Sequence, residues 1–243
     1  MQANSFKLTL EDAQMISTNV KHFIFRKDGL PLSFVPGQFI TIHFEHNEKT
    51  LKRSYSLANS PGSTPYLEFA AGFIASGPGT QLLFNLKPGD TLEGSGPFGR
   101  LTLKENDPRR YILVATSTGI TPYRSMLPEL KQRLHDNPSL RIVLLQGVQK
   151  KSDLLFHEEF KTFTHTHPGF TYHACLSQED PAALEENQHQ GYVQHLFPKL
   201  SLSKDDDLVY LCGNPSMVDD AFTLLKDAEF TVQQIIREKY ISR

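Results

Sequence analysis

Residues 111–122 read Tyr-Ile-Leu-Val-Ala-Thr-Ser-Thr-Gly-Ile-Thr-Pro. Five apolar residues without alternation, Tyr111 to Ala115, predict a strand buried on both faces, as in a parallel sheet covered by helices. Hydroxyl side chains and Gly119 then form a tight turn. Pro122 suits the first turn of a helix, expected to run to about His135. A turn of this kind presents free backbone N–H groups at a helix N-terminus, which suits a pyrophosphate. The same residues also serve as a plain capped helix start with no ligand.

Downstream, the pattern repeats. Leu140 to Leu145, Phe170 to Leu176 and Leu208 to Cys212 read as further strands, and Val232 to about Tyr240 as a fifth. Helices are expected at Ser152 to Phe163, Val193 to Phe197 and Pro215 to Ala228. Strands alternating with helices imply right-handed βαβ units and a five-stranded parallel sheet. Ligands of such sheets bind beyond the carboxyl ends of the strands, so chemistry is expected after Ala115, Gln146, Leu176 and Cys212.

Upstream the pattern is different. From Phe6 to about Leu103, short β-rich runs such as Phe39 to Phe44 and Leu67 to Phe69 are cut by turns at Asp28-Gly29, Pro36-Gly37, Ser60-Pro61-Gly62 and Pro88-Gly89-Asp90. Strands at this spacing predict an antiparallel barrel or sandwich, with one short helix around Gln81 to Leu86. Lys104 to Pro108 is a polar linker, so the expected domains are residues 1–105 and 106–243, with a boundary near Asn106.

Composition excludes several classes. The chain has 243 residues, with 39% hydrophobic and 21% charged, as in a folded globular protein. Its net charge of -2 lacks the basic footprint of a nucleic-acid-binding protein. Two cysteines, Cys175 and Cys212, cannot supply the four thiolates of a plant-type iron–sulfur cluster. No basic segment followed by an apolar run opens the sequence, and no apolar stretch is long enough to span a bilayer, so a cytoplasmic protein with reduced thiols is expected. His165 and His167 form the closest histidine pair, in a loop, and no metal site is expected.

Three more motifs carry chemistry. Cys212-Gly213-Asn214-Pro215-Ser216-Met217 again joins a strand to a helix, with Gly213 allowing close backbone approach. Arg53-Ser54-Tyr55-Ser56 offers a guanidinium fork for phosphate oxygens, a flat ring face and hydroxyls. Read alone, that tetrapeptide is an ordinary strand. Gly79-Thr80 forms a second candidate phosphate turn, and Gly94 to Gly99 suggests hairpin turns.

In their order and spacing these motifs resemble the ferredoxin–NADP reductase superfamily of flavoproteins over almost the whole chain. Arg53-Ser54-Tyr55-Ser56 is similar to the family's R-x-Y-S flavin signature, and Pro36-Gly37-Gln38 to its strand entry. Gly96-Pro97-Phe98-Gly99 is similar to the segment that closes its barrel. Thr116 to Pro122 is similar to its T-G-T-G-I-A-P loop, with Ser117 in place of a glycine. Cys212 to Met217 is similar to its C-G-x-P-x-M motif, and Glu238-Lys239-Tyr240 to the tail of bacterial members.

The resemblance implies an FAD-binding barrel followed by an NAD(P)H-binding domain. It implies that Arg53, with Gly79 and Thr80, holds the flavin phosphates, and that Ser54 belongs to the flavin site. Tyr55 packs on the ring system, Ser56 bonds near its reactive nitrogen, and Phe69, Ala70 and Ala71 line its edge. Thr116, Thr118, Gly119, Pro122, Gly213 and Met217 form the nicotinamide-nucleotide site, with Cys212 beside the nicotinamide. Glu238 assists proton delivery, and Tyr240 lies near the cofactors. Family members that use NADPH often carry arginines where Gln149 and Gln178 stand here, which favours NADH, although Lys150 and Lys151 could still bind phosphate. The expected acceptor is a ferredoxin, a flavodoxin or an oxygenase component; Lys49, Lys52, Arg109, Arg110 and Arg124 could form a basic rim that steers it, with scattered surface charges as the default reading. Alternatives are a reductase of free flavin or small acceptors, and a non-catalytic regulatory subunit.

Overall fold

The computed structural model describes residues 5–62, 64–105 and 108–240. The expected boundary at Asn106 lies outside the described residues. The chain divides into two compact units, one running through Leu103 and taking in Thr121–Leu127, the other formed by Lys104–Ile120 and the chain from Pro128 onward.

In the first unit, β1 (Ser5–Met15), β2 (Val20–Lys27), β3 (Phe39–His46), β4 (Lys49–Ser56), β5 (Tyr66–Gly72) and β6 (Thr91–Phe98) form an antiparallel sheet of order β4-β3-β6-β1-β2-β5. An antiparallel bridge between Leu57 and Phe69 joins the two edges, closing the sheet into a barrel. Alternation does the work expected of it. Phe6, Leu8 and Leu10 of β1, Phe23 and Phe25 of β2, and Ile40 and Ile42 of β3 are buried in one core. Phe25 and Phe69 stack with centroids 5.4 Å apart, and each such ring contributes about 1.5–3 kcal/mol by burial. Helix α1 (Pro78–Asn85) sends Leu83 into the same core. Gly37 holds φ +96°, and a Cβ there would lie 2.0 Å from the Leu101 carbonyl oxygen, so the Pro36-Gly37 turn requires glycine.

The second unit holds β7 (Arg110–Thr116), the part of α2 (Thr121–Asp136) from Pro128 on, β8 (Arg141–Val148), α3 (His157–Thr166), β9 (Phe170–Leu176), β10 (Gln188–Gln190), α4 (Phe197–Leu200), β11 (Asp207–Gly213), α5 (Pro215–Asp227) and β12 (Ile235–Lys239). The strands are parallel, in the order β10-β9-β8-β7-β11-β12. The chain winds outward from β7 in one direction and then restarts at β11 in the other. The switch point therefore lies between β7 and β11, where open α/β sheets bind ligands.

The expectation of five strands is corrected to six. The addition, β10, is Gln-His-Gln at a sheet edge and carries no apolar run to announce it. The helix expected from Ser152 is also revised. A 3-10 turn covers Lys151–Asp153, Leu154 and Leu155 are buried, and Phe156 takes a left-handed φ of 55° before α3 begins at His157. Likewise Val232–Gln234 is a 3-10 turn, closed by a capping box between Thr231 and Gln234, so the last strand starts at Ile235.

Candidate functional site

In the first unit the candidate residues converge on the end of β4. Alternation turns Leu51, Arg53 and Tyr55 inward and Lys52 and Ser54 outward. The Tyr55 ring lies parallel to Phe69 with centroids 4.7 Å apart. Burial pushes its phenol up to about 12, so it is neutral at physiological pH. Ser56 is buried, whereas Ser54 is exposed and bonds Thr41 across the strand pair at 3.2 Å. Phe69, Ala70 and Ala71 are buried on β5.

The start of α1 sits against Arg53. A Cβ on Gly79 would lie 2.9 Å from Arg53 Cγ and 3.2 Å from Phe44 Cζ. The Thr80 hydroxyl holds the preceding loop, accepting from Ile74 N–H at 3.0 Å and donating toward the Ile74 and Gly77 carbonyls. Gly79 and Thr80 lie in the first turn of α1, where backbone N–H groups have no acceptor within the helix.

A polar cluster absent from the sequence reading lies on β5. Glu68 is 3.1 Å from His22 Nε2 and 2.9 Å from Arg124 Nη1, and Arg124 also donates to the Ala58 carbonyl at 3.1 Å. The hydrogen bond from His22, together with Arg124, holds the Glu68 carboxyl below the usual range. Residue types gave no clue here, because the partners are far apart in sequence. Three of the five basic residues weighed as a steering rim are paired with carboxylates. Arg124 is engaged by Glu68, Arg110 makes a two-pronged pair with buried Asp207 at 2.8 and 2.7 Å, and Arg109 pairs with Asp206 at 3.4 Å. Lys49 and Lys52 remain exposed on β4.

In the second unit, the loops after β7 and β11 interlock at the switch point. Thr116 Oγ1 accepts from Asn214 N–H at 2.9 Å. A Cβ on Gly119 would lie 2.3 Å from the Cys212 carbonyl oxygen, and one on Gly213, with φ +126°, 2.5 Å from Thr116 Oγ1. Both glycines are therefore required by backbone contact. Ser117 carries a left-handed φ of 49°. Thr118 is half-buried and Pro122 is buried in the first turn of α2. The hydroxyl of Thr121, the first residue of α2, is buried and has no hydrogen-bond partner. The Asn214 side chain caps α5, accepting from Ser216 N–H at 2.8 Å.

Cys212 is fully buried, and burial raises its thiol well above the ordinary value, with Glu238 nearby and a hydrogen bond from Tyr240. It is a neutral thiol. Glu238 lies opposite Cys212 in the β11–β12 register, and Tyr240 N–H donates to the Gly213 carbonyl at 2.8 Å. Met217 packs into the hydrophobic core beside Val218 and Ala221. Gln149, just past β8, is exposed, and its carbonyl accepts from Gln178 N–H at 2.8 Å, so the two glutamines come together.

These features fit a flavin and a nicotinamide nucleotide. The first unit offers a guanidinium, a flat buried ring and a helix start around Arg53. The second offers an interlocked pair of strand-to-helix loops at the switch point of its sheet. Among the described residues, no group of three or more histidine, cysteine or acidic side chains is arranged to hold a metal ion, and no helix is long and apolar enough to cross a membrane.

Comparison with known proteins gives the family. Residues 7–103 match the oxidoreductase FAD-binding domain and residues 113–222 the oxidoreductase NAD-binding domain. Ferredoxin–NADP reductase B of Sorangium cellulosum is 29% identical over 222 residues, 90% of each chain. Reductase component 1 of terephthalate 1,2-dioxygenase from Comamonas is 31% identical over 205 residues, covering 84% of this chain and 59% of that protein. The crystal structure of the cytochrome P450 reductase GcoB from Amycolatopsis superimposes with a TM-score of 0.85 at 26% identity, covering 98% of this chain and 70% of that one. A ferredoxin NADP+ reductase from Neisseria gonorrhoeae, crystallised with FAD and NADP, shares the fold along its whole length with a TM-score of 0.84. The chain belongs to the ferredoxin–NADP reductase family: an FAD-binding oxidoreductase barrel followed by an NAD-binding domain.

Proposed function

We propose that this protein takes a hydride from NADH onto FAD and passes the electrons to a separate redox protein in the cytoplasm, such as a ferredoxin, a flavodoxin or an oxygenase component. The observation that carries the reading is the two-motif arrangement. The Arg53-to-Ser56 strand end lies in the barrel, and the Thr116 and Cys212 loops meet at the switch point of the parallel sheet. FAD, when bound, supplies the hydride acceptor and can release electrons singly or in pairs. The chain's own residues bind and orient. Arg53, with the N–H groups of Gly79 and Thr80, would hold the pyrophosphate, and Ser54 would support that strand end from its outer face. Tyr55 would pack its neutral ring on the flavin, Ser56 would offer a hydroxyl at the reacting edge, and Phe69, Ala70 and Ala71 would exclude water from it.

Around the loop that follows β7, Thr116, Thr118, Gly119 and Pro122 would seat the nucleotide pyrophosphate, and Gly213 would let it approach the backbone. Cys212, as a neutral buried thiol, would shape the nicotinamide end rather than transfer a proton, with Met217 packing beneath that loop. Glu238 is the ionisable group of the tail suited to deliver a proton, with Tyr240 anchoring it to β11. NADH is favoured because Gln149 and Gln178 meet at the ends of β8 and β9, and neither can neutralise a 2′-phosphate. The relatives named as reductase components of oxygenases support a protein acceptor.

Purification tests the reading directly. The protein is expected to be yellow and to release about one FAD per chain on denaturation. It should reduce a dye acceptor faster with NADH than with NADPH. A colourless, folded protein that turns over added flavin would replace tight FAD binding with free-flavin reduction. A strong preference for NADPH would refute the donor assignment.

A further inference from the structure

Arg124 and Glu68 pair within the first unit, which takes in Thr121–Leu127 as well as the barrel strands. Their side chains are 21% and 22% exposed, and a pair so withdrawn from water returns little net stability, because desolvation offsets most of the attraction. Its position says more. Glu68 Oε2 accepts from Arg124 Nη1 at 2.9 Å and lies 3.1 Å from His22 Nε2. The same Arg124 nitrogen donates to the Ala58 carbonyl at 3.1 Å. Ala58 N–H in turn donates to the Glu68 carbonyl at 2.7 Å, and Glu68 N–H to Asn59 Oδ1 at 2.9 Å. Leu57 bridges to Phe69, whose ring stacks on Tyr55. The segment directly after Tyr55 and Ser56 is thus tied to β5, and the guanidinium closes the tie. One positive and one negative group stand side by side at this seam.

We propose that Glu68 and Arg124 are positioning residues of the flavin site. They fix the Tyr55–Ser56 strand end through Ala58, and their opposed charges hold the flavin's potential between the values that either charge alone would impose. The inference rests on the flavin reading of the first unit. Reduction adds two electrons to the ring system, so a positive neighbour favours the reduced form and a negative neighbour the oxidised form. The hydrogen bond from His22, together with Arg124, keeps the Glu68 carboxyl below its usual range, so both members of the pair are charged near neutrality. A pair that served packing alone would disturb the site in the same way whichever partner was lost. A balanced pair disturbs it in opposite directions.

The test is the midpoint potential of the full, FAD-loaded chain, read from its visible spectrum against reference dyes at one pH. Glu68→Gln leaves Arg124 unbalanced and should raise the potential. Arg124→Gln leaves Glu68 unbalanced and should lower it. Each shift should match an about 3–10-fold change in the oxidised-to-reduced ratio, or roughly 15–30 mV for a two-electron couple. Arg124→Lys keeps the charge, and the double variant Glu68→Gln with Arg124→Gln removes both charges, so each should stay near the parent value. Where a folded variant releases its flavin, titration with oxidised and with reduced FAD gives the same shift as a ratio of affinities. Melting temperatures identify a variant that fails to fold, and the sign found for the other then decides. Shifts of the same sign, of the reverse sign or absent altogether overturn the inference while the flavin reading stands. A folded parent that binds neither form of FAD overturns that reading and this inference with it.

Discussion

Gly213 and Ser117 both hold a positive φ, with opposite consequences. Gly213 sits at φ +126° with Thr116 Oγ1 where a Cβ would go, so Gly213→Ala adds strain and a clash at once. A loss of about 2–4 kcal/mol is expected in urea unfolding, with weakened nucleotide binding. Ser117 is exposed at φ 49°, the place where the family loop carries glycine. Ser117→Gly removes about 1–2 kcal/mol of left-handed strain and costs about 0.5–1 kcal/mol in unfolded-chain freedom. The net gain of roughly 0.5–1 kcal/mol should raise the melting temperature by about 1–4 °C. An unchanged or lower value would mean that the Ser117 hydroxyl contributes to the loop. Residues of this kind were legible in the sequence, because a glycine between a strand and a helix has few explanations. Glu68 was not, since His22 and Arg124 reach it only through the fold.

At the scale of elements, what the sequence disclosed follows burial. Strands β7, β8 and β11 each carry an unbroken apolar run and β9 an apolar majority, and they were legible, as was the barrel's alternation. Strand β10 was not, because an edge strand of Gln-His-Gln needs no apolar residues to pair. The start of α3 was misjudged because Leu154 and Leu155 satisfy a helical pattern while packing as an extended segment. One element junction carries a prediction. Arg110 and Asp207 face each other at the first residues of β7 and β11, and the Asp207 side chain is fully buried. Asp207 also accepts from Ser203 N–H at 2.8 Å, so the pair fixes the turn that starts β11. Arg110→Ala leaves a buried carboxylate with its charge uncompensated and should cost about 3–5 kcal/mol. Replacing both residues with apolar ones should recover much of that loss. A single-mutant cost below 1 kcal/mol in denaturant titration would show that water reaches Asp207.

At the scale of the whole molecule, stability should depend on the flavin. A ligand that binds only the folded chain stabilises it by about 2.7 kcal/mol when free ligand is a hundredfold above its dissociation constant. For a chain of this size that corresponds to a rise of roughly 5–11 °C in melting temperature. Stripping FAD should lower the transition by that amount, and returning it should restore it. The effect should be read through the barrel, since Arg53, Tyr55 and Gly79 all lie there. Arg53→Ala removes the guanidinium but leaves the β3–β4 pairing, so the stripped variant should melt close to the stripped parent. Its response to added FAD should shrink to a small fraction of the parent's. Equal flavin content and an equal rise in the variant would remove Arg53 from the flavin site. A large drop in the stripped variant would instead assign Arg53 to the packing of α1 against β4, where its stem meets Gly79.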